Sequence, residues 1–219
     1  LEREIQQARV CARFGKSEQF EEHLARAVEI APTDPRIIEL KINYALAKDP
    51  PDLETARTWV GRAREQDADG AGGRFFAARL AAAEGDYATA ADALREALAA
   101  RPGQRRWRLL LAEYTRRRGD VSAVERLERA EQILRDAVAS DPGHTVAVIE
   151  LARLLAQRGK LDEFQKWVVQ AHRLAPNHPE VESWKLVVDE TEAEDDALQP
   201  YIRQRREMLP PETGGEGPQ

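Results

Sequence analysis

Apolar positions along this chain return every three to four residues, with polar ones between, so the periodicity predicts helices throughout. In GDYATAADALREALAARP, Gly85 to Pro102, the residues Tyr87, Ala90, Ala91, Leu94, Ala97 and Leu98 fall on one helical face. The stretch opens on a glycine and stops at a proline. GKLDEFQKWVVQAHRLAP, Gly159 to Pro176, has the same length, the same opening glycine and the same final proline. Ahead of the second glycine, Val148, Leu151, Ala152 and Leu155 form another stripe at helical spacing. Each unit is therefore expected to be two helices, the glycine releasing the chain from the first through a left-handed conformation and the proline ending the second.

The pattern repeats along the chain. An alanine near the end of the second helix recurs as Ala27, Ala63, Ala97, Ala137 and Ala171, at spacings of 36, 34, 40 and 34 residues. Pro32, Pro102, Pro142 and Pro176 each follow their alanine, and Ala68 breaks that column. Gly15, Gly85, Gly119 and Gly159 punctuate the units, with Pro51 substituting once. Ala8, Ala78, Ala112 and Ala152 precede them, with Tyr44 in the remaining unit. One-carbon side chains let helix backbones approach closely, so these columns mark helix crossings. Phe20 and Phe164 replace the small residue seen at Ala56, Ala90 and Ala130, which predicts wider crossings. The 40-residue spacing places extra residues near Val121 to Arg126, and SAVERLERAEQIL contains no breaker, so the following helix should extend towards its N-terminus.

The columns Ala8, Gly15, Ala27 and Pro32, best copied in Ala78, Gly85, Tyr87, Ala90, Ala97 and Pro102, resemble the tetratricopeptide repeat over roughly residues 1 to 178. The resemblance implies an all-α, right-handed superhelix (α-solenoid) of five helix-turn-helix repeats, at about 1–36, 37–70, 71–104, 105–144 and 145–178. Its core would be a ribbon shared by neighbouring hairpins, with polar caps at the ends. PEVESWKLVVDETEAE, Pro179 to Glu194, suits a capping helix through Val181, Trp184, Leu186, Val187 and Val188. Pro200 interrupts, YIRQRREML should form a short last helix within 179–208, and 209–219 should be a disordered tail.

Composition changes the picture little. With 42% hydrophobic and 33% charged residues and little β-branched alternation, the chain suits a helical repeat. No apolar run has the length of a membrane span. The repeat register is already running at Leu1, which leaves room for an upstream anchor, leader or further repeats. Cys11 is the single cysteine, so no intramolecular disulfide forms and the compartment, cytoplasmic or periplasmic, stays open. The alanine, arginine and glutamate bias is of a bacterial kind.

Catalytic signatures are absent. Of His23, His144, His172 and His178 only the last two are close in sequence, and they are read without a cysteine or carboxylate at metal-ligand spacing. Cys11 and His23 lie on separate helices without an orienting third group. Gly70 to Gly73, GAGG, lacks the lysine of a phosphate loop and is expected to be a turn between units. Neither an enzyme activity, a metal nor a cofactor is expected.

The resemblance implies a concave groove lined by the first helices, receiving extended peptides or partner helices. Placed by their offset from the marker column, Arg9, Arg13, Lys41, Phe75, Arg79, Leu109, Arg117, Ile149 and Arg153 are the candidate groove residues, with Arg116 beside them and Arg106 from the arginine-rich stretch. Guanidinium forks beside apolar patches predict a partner segment with acidic and apolar residues. The lysine and asparagine clamp known in the family is not carried over, because Lys41 and Asn43 lack the matching second unit. Arg101 to Arg118 holds seven arginines against Glu113, yet the chain is net −6, and no nucleic acid partner is expected. The acidic strip Asp189 to Asp196 is a candidate to fold back on those arginines or mimic the ligand. A protein-binding scaffold is the leading reading. The alternatives are an accessory region of a larger transferase-like enzyme or of a membrane-anchored envelope assembly protein, and an array self-assembling through its end repeats into a homo-oligomer.

Overall fold

The computed structural model describes residues 1–67 and 70–191. Those residues form helices joined by short links: α1 (Glu2–Arg13), α2 (Ser17–Ile30), α3 (Pro35–Ala47), α4 (Leu53–Gln66) and α5 (Ala71–Ala83). Then come α6 (Tyr87–Ala100), α7 (Arg105–Arg117), α8 (Ala123–Ser140), α9 (Thr145–Gln157) and α10 (Leu161–Leu174), followed by α11 (179–191). The chain divides into two compact units, Leu1–Ser140 with α1 to α8, and a second from Asp141 onward with α9 to α11. Among the described residues each is all-α, the first a stack of antiparallel hairpins and the second one hairpin followed by α11.

Local chemistry explains where the helices start and stop. Asp34, Asp52 and Asp86 sit at N-caps, where their carboxylates accept the otherwise unpaired N–H groups of Arg36, Thr55 and Thr89. Gly15, Gly85 and Gly159 take positive φ after α1, α5 and α9, a conformation that costs a side-chain-bearing residue energy. Gly119 departs from the expected pattern. The chain leaves α7 through an extended Arg118, with φ −61° and ψ 141°, and Gly119 needs no left-handed turn. The extra residues of that unit lengthen α8, which has 18 residues against 14 in α2 and α6.

In the first unit the core is built from clusters shared by neighbouring hairpins. Ile5, Phe20, Leu24 and Ala27 pack with Ile37 and Leu40. Ile38 and Ile42 pack with Val60 and Ala63, and Ala78, Leu94 and Ala97 with Trp107 and Leu111. The marker alanines are buried, as a helix crossing requires. Two departures from the repeat pattern compensate each other. The Phe20 ring, standing where other units have a small residue, stacks at 3.7 Å on Tyr44, which stands where others have alanine. Across the hairpins the first helices lie side by side, α1 touching α3 and α3 touching α5.

The Gly70 to Gly73 stretch is not one turn. Only Gly70 is left-handed, and α5 begins at Ala71. A Cβ at Gly73 would stand 2.9 Å from the Arg64 Cα, so this glycine is where α5 crosses α4. Asp67 completes the joint, accepting the Gly73 N–H at 2.8 Å and pairing with Arg101 at 3.1 Å.

Arg118 is 5% exposed and ties the α7–α8 link to its surroundings. Its guanidinium donates to both Asp120 oxygens, at 2.7 and 2.6 Å, and reaches Asp92 of α6 at 3.5 Å, while its carbonyl accepts from Arg126. These hydrogen bonds hold the Asp120 carboxyl down at about 2, from an ordinary 3.8. A depressed carboxylate contributes stability that is fully present above its unfolded pKa and lost as pH falls through the folded one. The stability gap between wild type and Asp120→Asn in urea unfolding should therefore be constant above pH ~5 and shrink from pH ~4 towards 2. A gap independent of pH would exclude the pair as its source.

In the second unit Val148, Leu151, Leu155, Val168, Val181 and Val188 are buried. Phe164 meets the Trp184 edge at 5.6 Å. Leu186 and Val187 differ from the expected capping face, being 63% and 59% exposed. The expected break at Pro200, the short helix after it and the tail from 209 lie outside the described residues, as does most of the acidic strip.

Candidate binding face of the first unit

Three first helices, α3, α5 and α7, present one face of the first unit, and its centre is Phe75. The ring stacks on Trp107 of α7 at 4.6 Å with 11° between planes, and meets Phe76 at 5.3 Å. One helical turn along α5, the Arg79 guanidinium lies over the same ring, 5.8 Å from its centroid. Arg79 is partly buried and donates to the Asn43 side-chain oxygen of α3. Among the described residues it has no carboxylate in ion-pair range. Burial pushes its pKa below the ordinary arginine value; the charge of Arg106 adds to that effect, and Tyr114 and Glu39 oppose it.

Towards the N-terminal ends of the three helices the face deepens into a cleft of about 580 Å³. Ile38, Phe75, Phe76 and Trp107 form its apolar wall, and Arg36, Glu39, Asp67, Arg101 and Gln104 its polar rim. None of the three helices has an acidic residue in its own first turn; Asp34 caps α3 and Asp67 accepts the Gly73 N–H of α5, while α7 has no side-chain cap.

The remaining candidates scatter. Arg106 is exposed on α7 and Leu109 half-buried beside it, while Arg9 and Arg13 are exposed on α1. Lys41 is turned towards α2, where it pairs with Glu21 and lies 5.9 Å from the Phe20 ring. Arg117 pairs with Glu113 at 3.3 Å and covers the Tyr87 ring of α6 at 4.1 Å. Arg116 is half-buried on α7. In the second unit Ile149 is 5% exposed and therefore core. Arg153 forks onto Glu180 at 2.9 and 2.5 Å and also holds Glu150, so its charge is already matched. The seven-arginine stretch likewise disperses: Arg101 goes to Asp67, Arg117 to Glu113, Arg118 to Asp120, and Arg108 to the Pro102 carbonyl.

Offset counting missed Asn43, Phe76, Trp107 and Ile38. Trp107 and Ile38 also serve the core, where both are buried. The available signal was the cluster of Phe75, Phe76 and Trp107 at the N-terminal ends of successive first helices.

Two family models described as tetratricopeptide repeat match residues 75–123 and 122–185. Among solved structures, PilF of Pseudomonas aeruginosa superposes with a TM-score of 0.68 at 15% identity, over 96% of this chain and 92% of that one. A thermophilic TPR protein of Thermus thermophilus gives 0.62 at 18%, over 85% and 97%. YrrB, described as a TPR protein with an unusual peptide-binding site, gives 0.52 at 23%, over 72% and 77%. At these identities the likeness is one of fold. No curated protein matches the chain.

Proposed function

Because this chain belongs to the tetratricopeptide-repeat family, we propose that its first unit docks a protein segment carrying acidic and apolar residues. Repeats of this family generally mediate protein–protein interaction and are generally non-catalytic. The observation that supports an acidic partner is Arg79. Its guanidinium is partly withdrawn from water and lies over an aromatic ring, with Asn43 rather than a carboxylate as its hydrogen-bonding partner among the described residues. An incoming carboxylate gains charge-assisted hydrogen bonds there, and Arg106 adds attraction from the same face. The stacked Phe75 and Trp107 rings supply the apolar part of the contact. Peptide binding in the similarly folded YrrB is consistent with this use of the fold.

The test is affinity capture from the source organism with wild type and with Arg79→Gln, both checked for helix content by circular dichroism. A protein retained by wild type should bind the variant about tenfold more weakly, the loss of roughly 1.4 kcal/mol of charge-assisted hydrogen bonding. Equal affinity of the two forms for every retained protein would move the binding surface away from Arg79.

A further inference from the structure

The cleft at the N-terminal ends of α3, α5 and α7 has a shape and lining that the arginines alone do not use. Its volume of about 580 Å³ falls within the roughly 300–1,000 Å³ of ordinary ligand sites. Phe75 is pinned between Trp107, Phe76 and the Arg79 guanidinium, so the apolar wall is rigid before anything binds. A preformed aromatic wall with a polar rim is the arrangement in which buried anchor residues concentrate binding energy. The charges on either side are unequal. Asp67 is committed to the Gly73 N–H and Arg101, which leaves Glu39 as the other acidic group of the lining. Arg79 stands one turn along α5 from Phe75 and Arg106 directly precedes Trp107 on α7, with their charges close enough to oppose each other.

We propose that this cleft is an anchor pocket. It takes an aromatic or branched aliphatic side chain of a partner protein segment together with the residues flanking it, and an acidic residue within about one turn of that anchor reaches Arg79 and Arg106. This inference rests on the docking role above and adds which side chain gives the affinity. A protein segment is favoured over nucleic acid, since the chain as a whole is net −6 and would repel a phosphate backbone.

The experiment selects randomised 12-residue peptides displayed on phage against the whole immobilised chain. Enriched peptides are synthesised with a fluorophore, and their Kd values are measured by anisotropy on wild type, Gln104→Trp and Arg79→Gln. Gln104 is exposed at the start of α7 and caps nothing with its side chain, so tryptophan there fills the cleft mouth while leaving the core alone. Unchanged thermal midpoints verify that both variants fold. Enriched peptides should share an aromatic or branched residue within four positions of an aspartate or glutamate. Gln104→Trp should weaken them at least tenfold, as should alanine at the anchor of the peptide. Peptides weakened by Arg79→Gln but indifferent to Gln104→Trp would overturn the anchor pocket and leave the docking role standing. Peptides indifferent to both variants, or no enrichment at all, would overturn both.

Discussion

Trp107→Ala is expected to destabilise the first unit by about 3–5 kcal/mol, the usual cost of removing a large aromatic side chain from a core. The indole is 9% exposed and joins the cluster of Ala78, Leu94, Ala97 and Leu111, so it bridges α7 to the preceding hairpin. Its removal leaves a void between repeats that small side chains cannot fill, and deprives Phe75 of its stacking partner at 4.6 Å. In a linear array a weakened interface uncouples the units on its two sides. Urea unfolding followed by circular dichroism should therefore show both a lower midpoint and a broader transition. An unchanged midpoint would mean that Trp107 is not part of the inter-repeat core and would leave it as a surface residue of the cleft.

Gly73→Val should cost about 3 kcal/mol, at the upper end of ordinary overpacking. The valine Cβ would meet backbone and side-chain atoms of Arg64 at 2.9 Å, and a main-chain atom cannot swing aside as a flexible side chain can. Separating α4 from α5 to make room would also strain the Asp67 link to the Gly73 N–H. Helix propensity works the other way, since glycine is a poor helix former, by up to about 1 kcal/mol against alanine. Gly72→Ala provides the contrast. Its Cβ would meet the Asp67 carboxylate at 3.1 Å and no backbone, so the change should be within about 1 kcal/mol of neutral. If Gly73→Val unfolded at the wild-type urea midpoint, the close crossing would be disproved.

The hairpin fold was legible before any coordinates because its signals are local. Apolar residues three and four apart, glycines after the first helices and prolines after the second each act through neighbouring backbone, and a repeated set of them states the family. Even the longer α8 followed from the lack of a breaker between Ser122 and Leu134. Where local reading erred, two roles shared one residue type. Gly119 has the place of a turn glycine but sits beyond an extended Arg118, and Gly73 has the company of turn glycines but serves a helix crossing.

The candidate face was legible only in part. Phe75 and Arg79 were found by their offset from the alanine column and Arg106 by its place in the arginine-rich stretch, and the fold brings them together with Asn43 and Trp107. The same offset also selected Lys41 and Arg153, which carboxylates claim 20 and 27 residues away. Residue order alone specifies the helices, their pairing and the family, because those depend on residues a few positions apart. Which guanidinium groups are spent on the fold, and which ring stacks on which, is settled in three dimensions, because ion pairs and stacking join side chains that are distant in the chain and close in space.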